Sequence, residues 1–394
     1  MTEFVLTLNA GSSSIKFALF SAATLDLHGR GGIENLGGEA KLHYRPTVGA
    51  PLNRALAPNE ARDHHAALDV ALATLGQATP GFAVAAVGHR IVHGGRRFSA
   101  PALITDPVLD ELRRLAPLAP LHQPHNLAGV DAARALFPDA PQIACFDTAF
   151  HRGHDFVNDA YGLPRSFYDD GLRRYGFHGL SYEYVSERLK EIAPDVAGGR
   201  VIIAHLGNGA SMCAVRDSRS VATTMGFSTL DGLPMGTRPG QIDPGVLIYL
   251  MSARGYDVAR LTDLLYKKSG LAGLSEVSND WREVEATKTP QARDAIAYFI
   301  HRIVYEVGGL TAALQGLDAL VFTGGIGENS ASLRAAVVAR LGWLGVTLDE
   351  AANAQPATQI CAPDSRVRVY AIATDEERRI AQHTKATAQI PSSA

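Results

Sequence analysis

Cysteine is scarce: the 394-residue chain holds three, Cys145, Cys213 and Cys361. Their number is odd, they are scattered, and each lies in an apolar stretch. That argues against a disulfide framework or a thiolate zinc site and suits a reducing compartment. Net charge is also small, −3 with no block of like charge, so neither nucleic acid nor another polyanion is expected as a partner. No apolar run reaches spanning length, and no basic stretch followed by a long apolar one precedes the first strand. Neither a membrane span nor a secretory signal is expected, and the cytoplasm is the default. What is there is an ordinary globular composition, 46% hydrophobic and 20% charged, on a chain long enough for two domains.

Two apolar runs, Val5 to Leu8 and Ile15 to Phe20, flank the turn Asn9-Ala-Gly-Ser-Ser-Ser14. This predicts a β-hairpin buried on both faces. Its turn offers an amide, three hydroxyls and then Lys16, donors that suit an anion approached by backbone N–H groups. The plan returns at residues 201–215, where two apolar runs flank Gly207-Asn-Gly209. A third glycine turn, Gly324-Gly-Ile-Gly-Glu-Asn329, follows the apolar run Leu320 to Thr323. Placed between a strand and a helix, it lets a flat ligand approach backbone and helix N–H groups. Two turns can grip one polyphosphate, and a third can pack against a base.

Between these turns the chain alternates strands and helices. Residues 21–60 read as glycine-rich and irregular, with one short strand near Lys41 to Tyr44. Short strands are expected at 84–87, 142–146, 220–224, 320–323 and 366–373. Helices are expected over 61–76, from Asp106 as cap, from Asn126, from Ser181 to Ile192, across 246–267 with a stop at Gly270, and over 291–314. Thr374-Asp-Glu-Glu377 has capping-box spacing and starts the last helix, with residues after about 387 frayed. His89, Arg90 and His93 fall just beyond a strand, and Asp147 ends another, where open α/β sheets place ligands. The whole reads as a hairpin followed by β/α units, stated twice. Two similar halves with an interdomain cleft follow.

Several segments then point to a known family. They are Asn9-Ala-Gly-Ser-Ser-Ser-Ile-Lys16, Gly88-His-Arg-Ile-Val-His-Gly-Gly95, Phe146-Asp-Thr-Ala-Phe-His151, Arg174-Tyr-Gly-Phe-His-Gly179, His205-Leu-Gly-Asn-Gly209, Met235-Gly-Thr-Arg238, Ile242-Asp-Pro-Gly245, Ser278-Asn-Asp-Trp-Arg282 and Phe322-Thr-Gly-Gly-Ile-Gly-Glu-Asn329. In this order they resemble the acetokinase family, within the sugar-kinase, actin and heat-shock chaperone ATPase superfamily. The resemblance implies an α/β fold of duplicated ribonuclease-H-like (actin-like ATPase) domains. Residues 1–150 would form the first, with the C-terminal helix 378–394 returning to it. Residues 151–377 would form the second and carry the adenosine site. The implied reaction is ATP plus acetate giving acetyl phosphate plus ADP, with Mg²⁺ or Mn²⁺, in a homodimer.

The resemblance also implies roles. Arg90 matches the carboxylate-binding arginine, and a guanidinium can hold a carboxylate bidentately. Val92, Leu121 and Phe177 match positions lining a methyl pocket. His178 and Arg238 match transition-state stabilisers, His122 another active-site histidine, and Asp147 the catalytic aspartate. Ser12, Ser14 and Lys16 face the transferring phosphate, and His205, Leu206, Gly207, Asn208 and Gly209 form the opposite phosphate turn. Asp280, Trp281 and Arg282 lie near adenosine, with Gly325, Ile326, Gly327, Glu328 and Asn329 against the base. Asn9 and Glu376 match magnesium positions. Acetate, with a pKa near 4, is already ionised at neutral pH, so no general base is needed. Asp147 is expected to position Mg²⁺, directly or through waters, or to orient Arg90 or His178.

Four segments depart from the family pattern. Gln123-Pro-His125 stands where Asn-Pro is usual, and Leu180-Ser-Tyr182 where Thr-Ser-His is. Ser228-Thr229 replaces Thr-Pro, and Asp375 replaces Asn. Thr229 would make the pocket floor more polar, which leaves propionate or butyrate open beside acetate. An actin- or chaperone-like ATPase module is the reading from another class, but it has no use for Arg90 or the Leu121-His122 loop.

Overall fold

The opening hairpin forms around β1 (Glu3–Ala10) and β2 (Ser14–Ser21), with Asn9 opposite Lys16. The computed structural model describes residues 2–391. Phe4, Leu6, Leu8 and Ala10 enter one core, with helices His64–Ala78 and Gln123–Leu136. Val5 points the other way, into a core with Phe20 and Ala381 of helix Glu376–Thr387. The strand's period of two thus buries both faces, which is why it is nearly all apolar.

The remaining strands of the first sheet are β3 (Leu27–Glu34), β4 (Lys41–Pro46), β5 (Leu52–Ala55), β6 (Ala83–Ile91), β7 (Ala102–Leu103) and β8 (Gln142–Phe146). Their order is β5-β4-β3-β2-β1-β6-β8-β7. β1 to β5 form an antiparallel meander, and β6 and β8 add on parallel to β1. The second sheet joins β9 (Arg200–Leu206), β10 (Ala210–Arg216), β11 (Arg219–Thr223), β12 (Ala319–Thr323) and β13 (Arg368–Ala371), in the order β11-β10-β9-β12-β13. There β9 to β11 form the meander and β12 and β13 are the parallel additions. The series β3-β2-β1-β6-β8 therefore recurs as β11-β10-β9-β12-β13. This is one ribonuclease-H-like plan present twice, the arrangement of duplicated actin-like ATPase domains.

Residues up to Phe150 together with those from Asp375 form one compact unit, and His151–Thr374 the other. Asp375, Glu376 and Glu377 thus lie in the first unit, with helix Glu376–Thr387 laid on β1, β6 and β8. Residues 392–394 of the expected C-terminal helix lie outside the described residues. In the second unit the 25-residue helix Pro290–Leu314 covers β10, β9 and β11 with Ile300, Ile303, Val307 and Leu310.

Several sequence expectations need correction. Residues 27–34, expected to be irregular, form β3, whose glycines hide the strand pattern. A Cβ on Gly29 would come within 2.2 Å of the Tyr44 hydroxyl, so packing across the sheet demands a residue of poor strand propensity. β6 runs on to Ile91, so His89 and Arg90 lie within the strand, not beyond it. Gly88 continues the strand where the last helix crosses, since its Cβ would meet Thr384 Oγ1 at 2.0 Å. The third helix begins at Gln123, three residues before Asn126, with Pro124 in its first turn. Thr105, not Asp106, and His178, not Ser181, are the N-cap residues of their helices. Gly270 opens helix Gly270–Ser275 and stops nothing. The last helix is capped by the Asp375 carboxylate, which accepts from Arg378 N at 3.0 Å, so Thr374 is not its cap.

Candidate active site

In the first unit, Arg90 comes from the penultimate position of β6 and Asp147 from just after β8. The guanidinium is held side-on. Nε donates to Asp147 Oδ1 at 3.0 Å and Nη2 to Oδ2 at 2.5 Å. Nη1 donates to Asn9 Oδ1 at 3.3 Å, and Glu376 Oε2 lies 3.9 Å from Nε. The Asp147 side chain is 2% exposed and that of Arg90 21%. Burial works against the arginine's charge, but Asp147, Glu376 and Glu377 outweigh it and raise its pKa above the ordinary value. Burial raises Glu377, and Lys16 partly offsets this. Lys16, Arg90, Asp147, Glu376 and Glu377 are therefore one charged cluster, with the neutral amide of Asn9 beside Arg90.

The loops around this cluster are fixed by two buried amides, which no local sequence pattern marks as clamps. Asn126 accepts from Val92 N at 2.9 Å and donates to Ala10 O at 2.6 Å. It ties the first glycine turn to the loop after Arg90. Gln123 is fully buried and bonds both backbone groups of His93. Leu121 and His122 are half-buried just before this helix, and Val92 is buried. In the turn itself, Gly11 N donates to Ser14 O at 2.8 Å, while Ser12 and Lys16 are exposed.

In the second unit, His205 and Leu206 end β9, Gly207 to Gly209 turn, and Ser211 follows in β10. A Cβ placed on Gly209 would lie 3.0 Å from Arg238 Nη2 and 3.2 Å from His178 Nε2. Two side-chain nitrogens therefore converge on one backbone position of the glycine turn. The His178 and His205 rings stack at 4.4 Å. His178 Nδ1 lies 2.8 Å from Ser211 Oγ, and His205 Nδ1 lies 2.8 Å from Ser181 Oγ. Arg238 donates to Thr229 O at 2.8 Å. Phe177 is buried, and its carbonyl accepts from His151 Nε2 at 3.0 Å. Burial pushes His151 well below its ordinary pKa.

Beside this turn opens a cavity of about 680 Å³ whose lining includes Asn208, Asp280, Trp281, Arg282, Gly325 and Ile326. Gly324 immediately precedes the lining residues Gly325 and Ile326; its φ is +79° and its Cβ would come within 2.7 Å of Leu206 O. Trp281 is buried and donates to Ser330 Oγ at 3.1 Å. On the rim, Arg282 bonds Asp280 and holds that carboxyl at about 2. Asn329 is exposed and donates to Gly325 O at 2.9 Å. Two residues expected at the base face inward instead. Glu328 Oε1 accepts from Gly324 N at 2.8 Å and Thr374 N at 3.0 Å, and Gly327 is buried with its carbonyl bonded to Arg334.

The Acetokinase family model matches residues 4–382. The chain belongs to the acetokinase family. An acetate kinase of Methylocella silvestris is 54% identical over 396 residues, covering 98% of both chains. One of Rhizobium meliloti is 49% identical over 395 residues and 99% of each. Among solved structures, a propionate kinase of Francisella tularensis superposes with a TM-score of 0.91 at 37% identity, covering 98% of this chain and 99% of that one. Acetate kinase of Porphyromonas gingivalis gives 0.88 at 38%, with the same coverage. All these acetokinase-family matches run the length of the chain, so both units are shared.

Proposed function

We propose that this protein is an acetate kinase, catalysing reversible phosphoryl transfer from ATP to acetate to give acetyl phosphate and ADP. The observation that carries the reading is Arg90. Its side-on pairing with Asp147 engages Nε and one Nη2 hydrogen. The end-on edge, formed by one Nη1 hydrogen and the second Nη2 hydrogen, has the geometry to take a carboxylate, with the other Nη1 hydrogen left for Asn9 Oδ1. In this reading the first unit holds the acceptor end and the second holds the nucleotide. The acetate oxygen attacks the γ-phosphorus, the bond to the ADP oxygen breaks, and no proton moves. His178 and Arg238 supply donors to the charge gathered on the transferring group. Asp147 then serves to orient Arg90 and is not a base.

Mg²⁺, or Mn²⁺, belongs to this reading. Among the described residues no group of three or more His, Cys, Asp or Glu could cage a metal. Asn9 and Glu376 offer hard oxygens around Arg90, which fits a cation that keeps most of its waters and shares phosphate oxygens. Bound with the nucleotide, it would neutralise phosphate charge.

Among the described residues no helix is long and apolar enough to cross a membrane. Three buried free thiols suit the cytoplasm. Helix Pro244–Arg254 has no buried residue and exposes Val246, Ile248, Tyr249 and Met251. Its only charged residue is Arg254. Such a face fits the same face on a second copy, giving a two-fold dimer.

The test is acyl phosphate formation, trapped with hydroxylamine, on acetate, propionate and butyrate. Acetate should give the highest kcat/KM. Burial raises the Tyr266 phenol's pKa, and hydrogen bonding with Ser228 and Thr229 partly offsets this, which engages the Thr229 hydroxyl. A clear preference for propionate would move the chain to the longer acid, and no acyl phosphate from any of the three would overturn the reading.

A further inference from the structure

His178 stands in an unusual backbone state. Its φ of 57° and ψ of 23° are left-handed, and it precedes helix Gly179–Ile192 as N-cap. A non-glycine residue holds such a conformation only when its surroundings impose it. Those surroundings include a buried hydroxyl chain. Ser211 Oγ lies 2.8 Å from His178 Nδ1, and the Tyr182 hydroxyl bonds Ser211 in turn. Tyr182 and Ser211 are both 0% exposed. They come from different elements, Tyr182 from the helix and Ser211 from β10.

The direction of the chain follows from the chemistry of its links. A phenol is a stronger acid than an alkyl hydroxyl, and the alkyl oxygen is the better acceptor. Serine has one hydrogen to give. Tyr182 therefore donates to Ser211, and Ser211 donates to Nδ1. Burial pushes the Tyr182 pKa well above its ordinary value, so the phenol keeps its proton. The imidazole proton is then left on Nε2. That is the atom 3.2 Å from a Cβ position on Gly209, beside Arg238 Nη2.

We propose that Tyr182 and Ser211 are positioning residues for phosphoryl transfer, acting through His178 by holding its ring in the Nε2–H tautomer with that N–H turned to the glycine turn. The inference rests on the reading of His178 as a donor to the transferring group. With the chain cut, the ring can turn or move its proton to Nδ1. It then presents a lone pair to an anionic oxygen. The loss falls on the transition state, where charge is greatest, more than on ground-state binding.

The test has two arms. Imidazole ¹⁵N NMR on the enzyme should show the Nε2–H tautomer for His178, and a loss of that single tautomer in Ser211→Ala. In kinetics, Tyr182→Phe should lower kcat about tenfold and Ser211→Ala about 30-fold, with KM for ATP and acetate within about twofold. In a His178→Ala background, Tyr182→Phe should lower kcat no further. An Nδ1–H tautomer in the wild type would overturn the proposal, as would an undiminished Tyr182→Phe effect without His178. If His178→Ala alone leaves kcat unchanged, the phosphoryl-site reading of His178 fails, while the wild-type tautomer still decides the relay.

Discussion

Asp147 meets Arg90 side-on, with Nε to Oδ1 at 3.0 Å and Nη2 to Oδ2 at 2.5 Å. A buried carboxylate paired this way fixes the plane of the guanidinium. Asp147→Asn keeps one acceptor and loses the charge. Removing one partner of a buried charge pair costs about 2–5 kcal/mol. We therefore expect kcat/KM for acetate to fall roughly 100-fold, about 2.7 kcal/mol, mostly through KM. Because acetate arrives ionised, the variant's pH–rate profile between about pH 6 and 9 should keep the wild-type shape. Loss of an acidic limb, the fall in rate toward low pH, would instead show that Asp147 takes a proton.

Gly324 sets the backbone just before the cavity-lining residues Gly325 and Ile326. Its φ is +79°, and the atoms a Cβ would strike are Leu206 O and N, at 2.7 and 3.0 Å. Backbone atoms of a buried strand cannot yield cheaply. Gly324→Ala should lower unfolding free energy by about 1–3 kcal/mol, read by denaturant titration, and raise KM for ATP severalfold. Unchanged KM for ATP would separate this turn from the nucleotide.

His89 gives the fold an acid limit. It is buried, its Nε2 donates to Gln142 Oε1 at 2.8 Å, and burial lowers its pKa from 6.5 to about 4. Below pH 6.5 the unfolded chain takes a proton there that the folded chain refuses. The stabilisation is therefore complete above pH 6.5, and is lost as pH falls toward 4. The amount is about 3 kcal/mol at 1.36 kcal/mol per pH unit. Unfolding free energies of the wild type and His89→Gln at pH 7 and 4.5 should show a smaller drop in the variant. Equal drops would remove His89 from the account.

The exposed helix Pro244–Arg254 carries Ile248 at 66% and Tyr249 at 55% exposure. If this face seats a second copy, Ile248→Asp should halve the mass seen by light scattering at micromolar concentration. A wild-type monomer, or a variant that stays dimeric, would place the dimer contact elsewhere or nowhere.

How much of this was legible in the sequence varied with whether the signal was local. Asn9, Lys16 and the two glycine turns were readable because apolar runs of strand length bracket them. The repeated plan followed from the same runs at 4–20 and 201–215. β3 was not readable, because its glycines answer to Tyr44 and Phe17 across the sheet. Gly88 likewise answers to Thr384, nearly three hundred residues away. Asn126 looked like a helix start, and only the fold shows it tying Ala10 to Val92. Glu328 sits within a glycine motif, yet its carboxylate holds backbone N–H groups. Most of these roles depend on partners distant in the chain, and no local pattern announces them.

Whether Arg90 takes the acceptor carboxylate is decided by steady-state kinetics of Arg90→Ala with each substrate varied in turn. KM for acetate should rise by more than about tenfold while KM for ATP stays within about twofold. Equal rises in both constants, or an unchanged KM for acetate, would contradict that role.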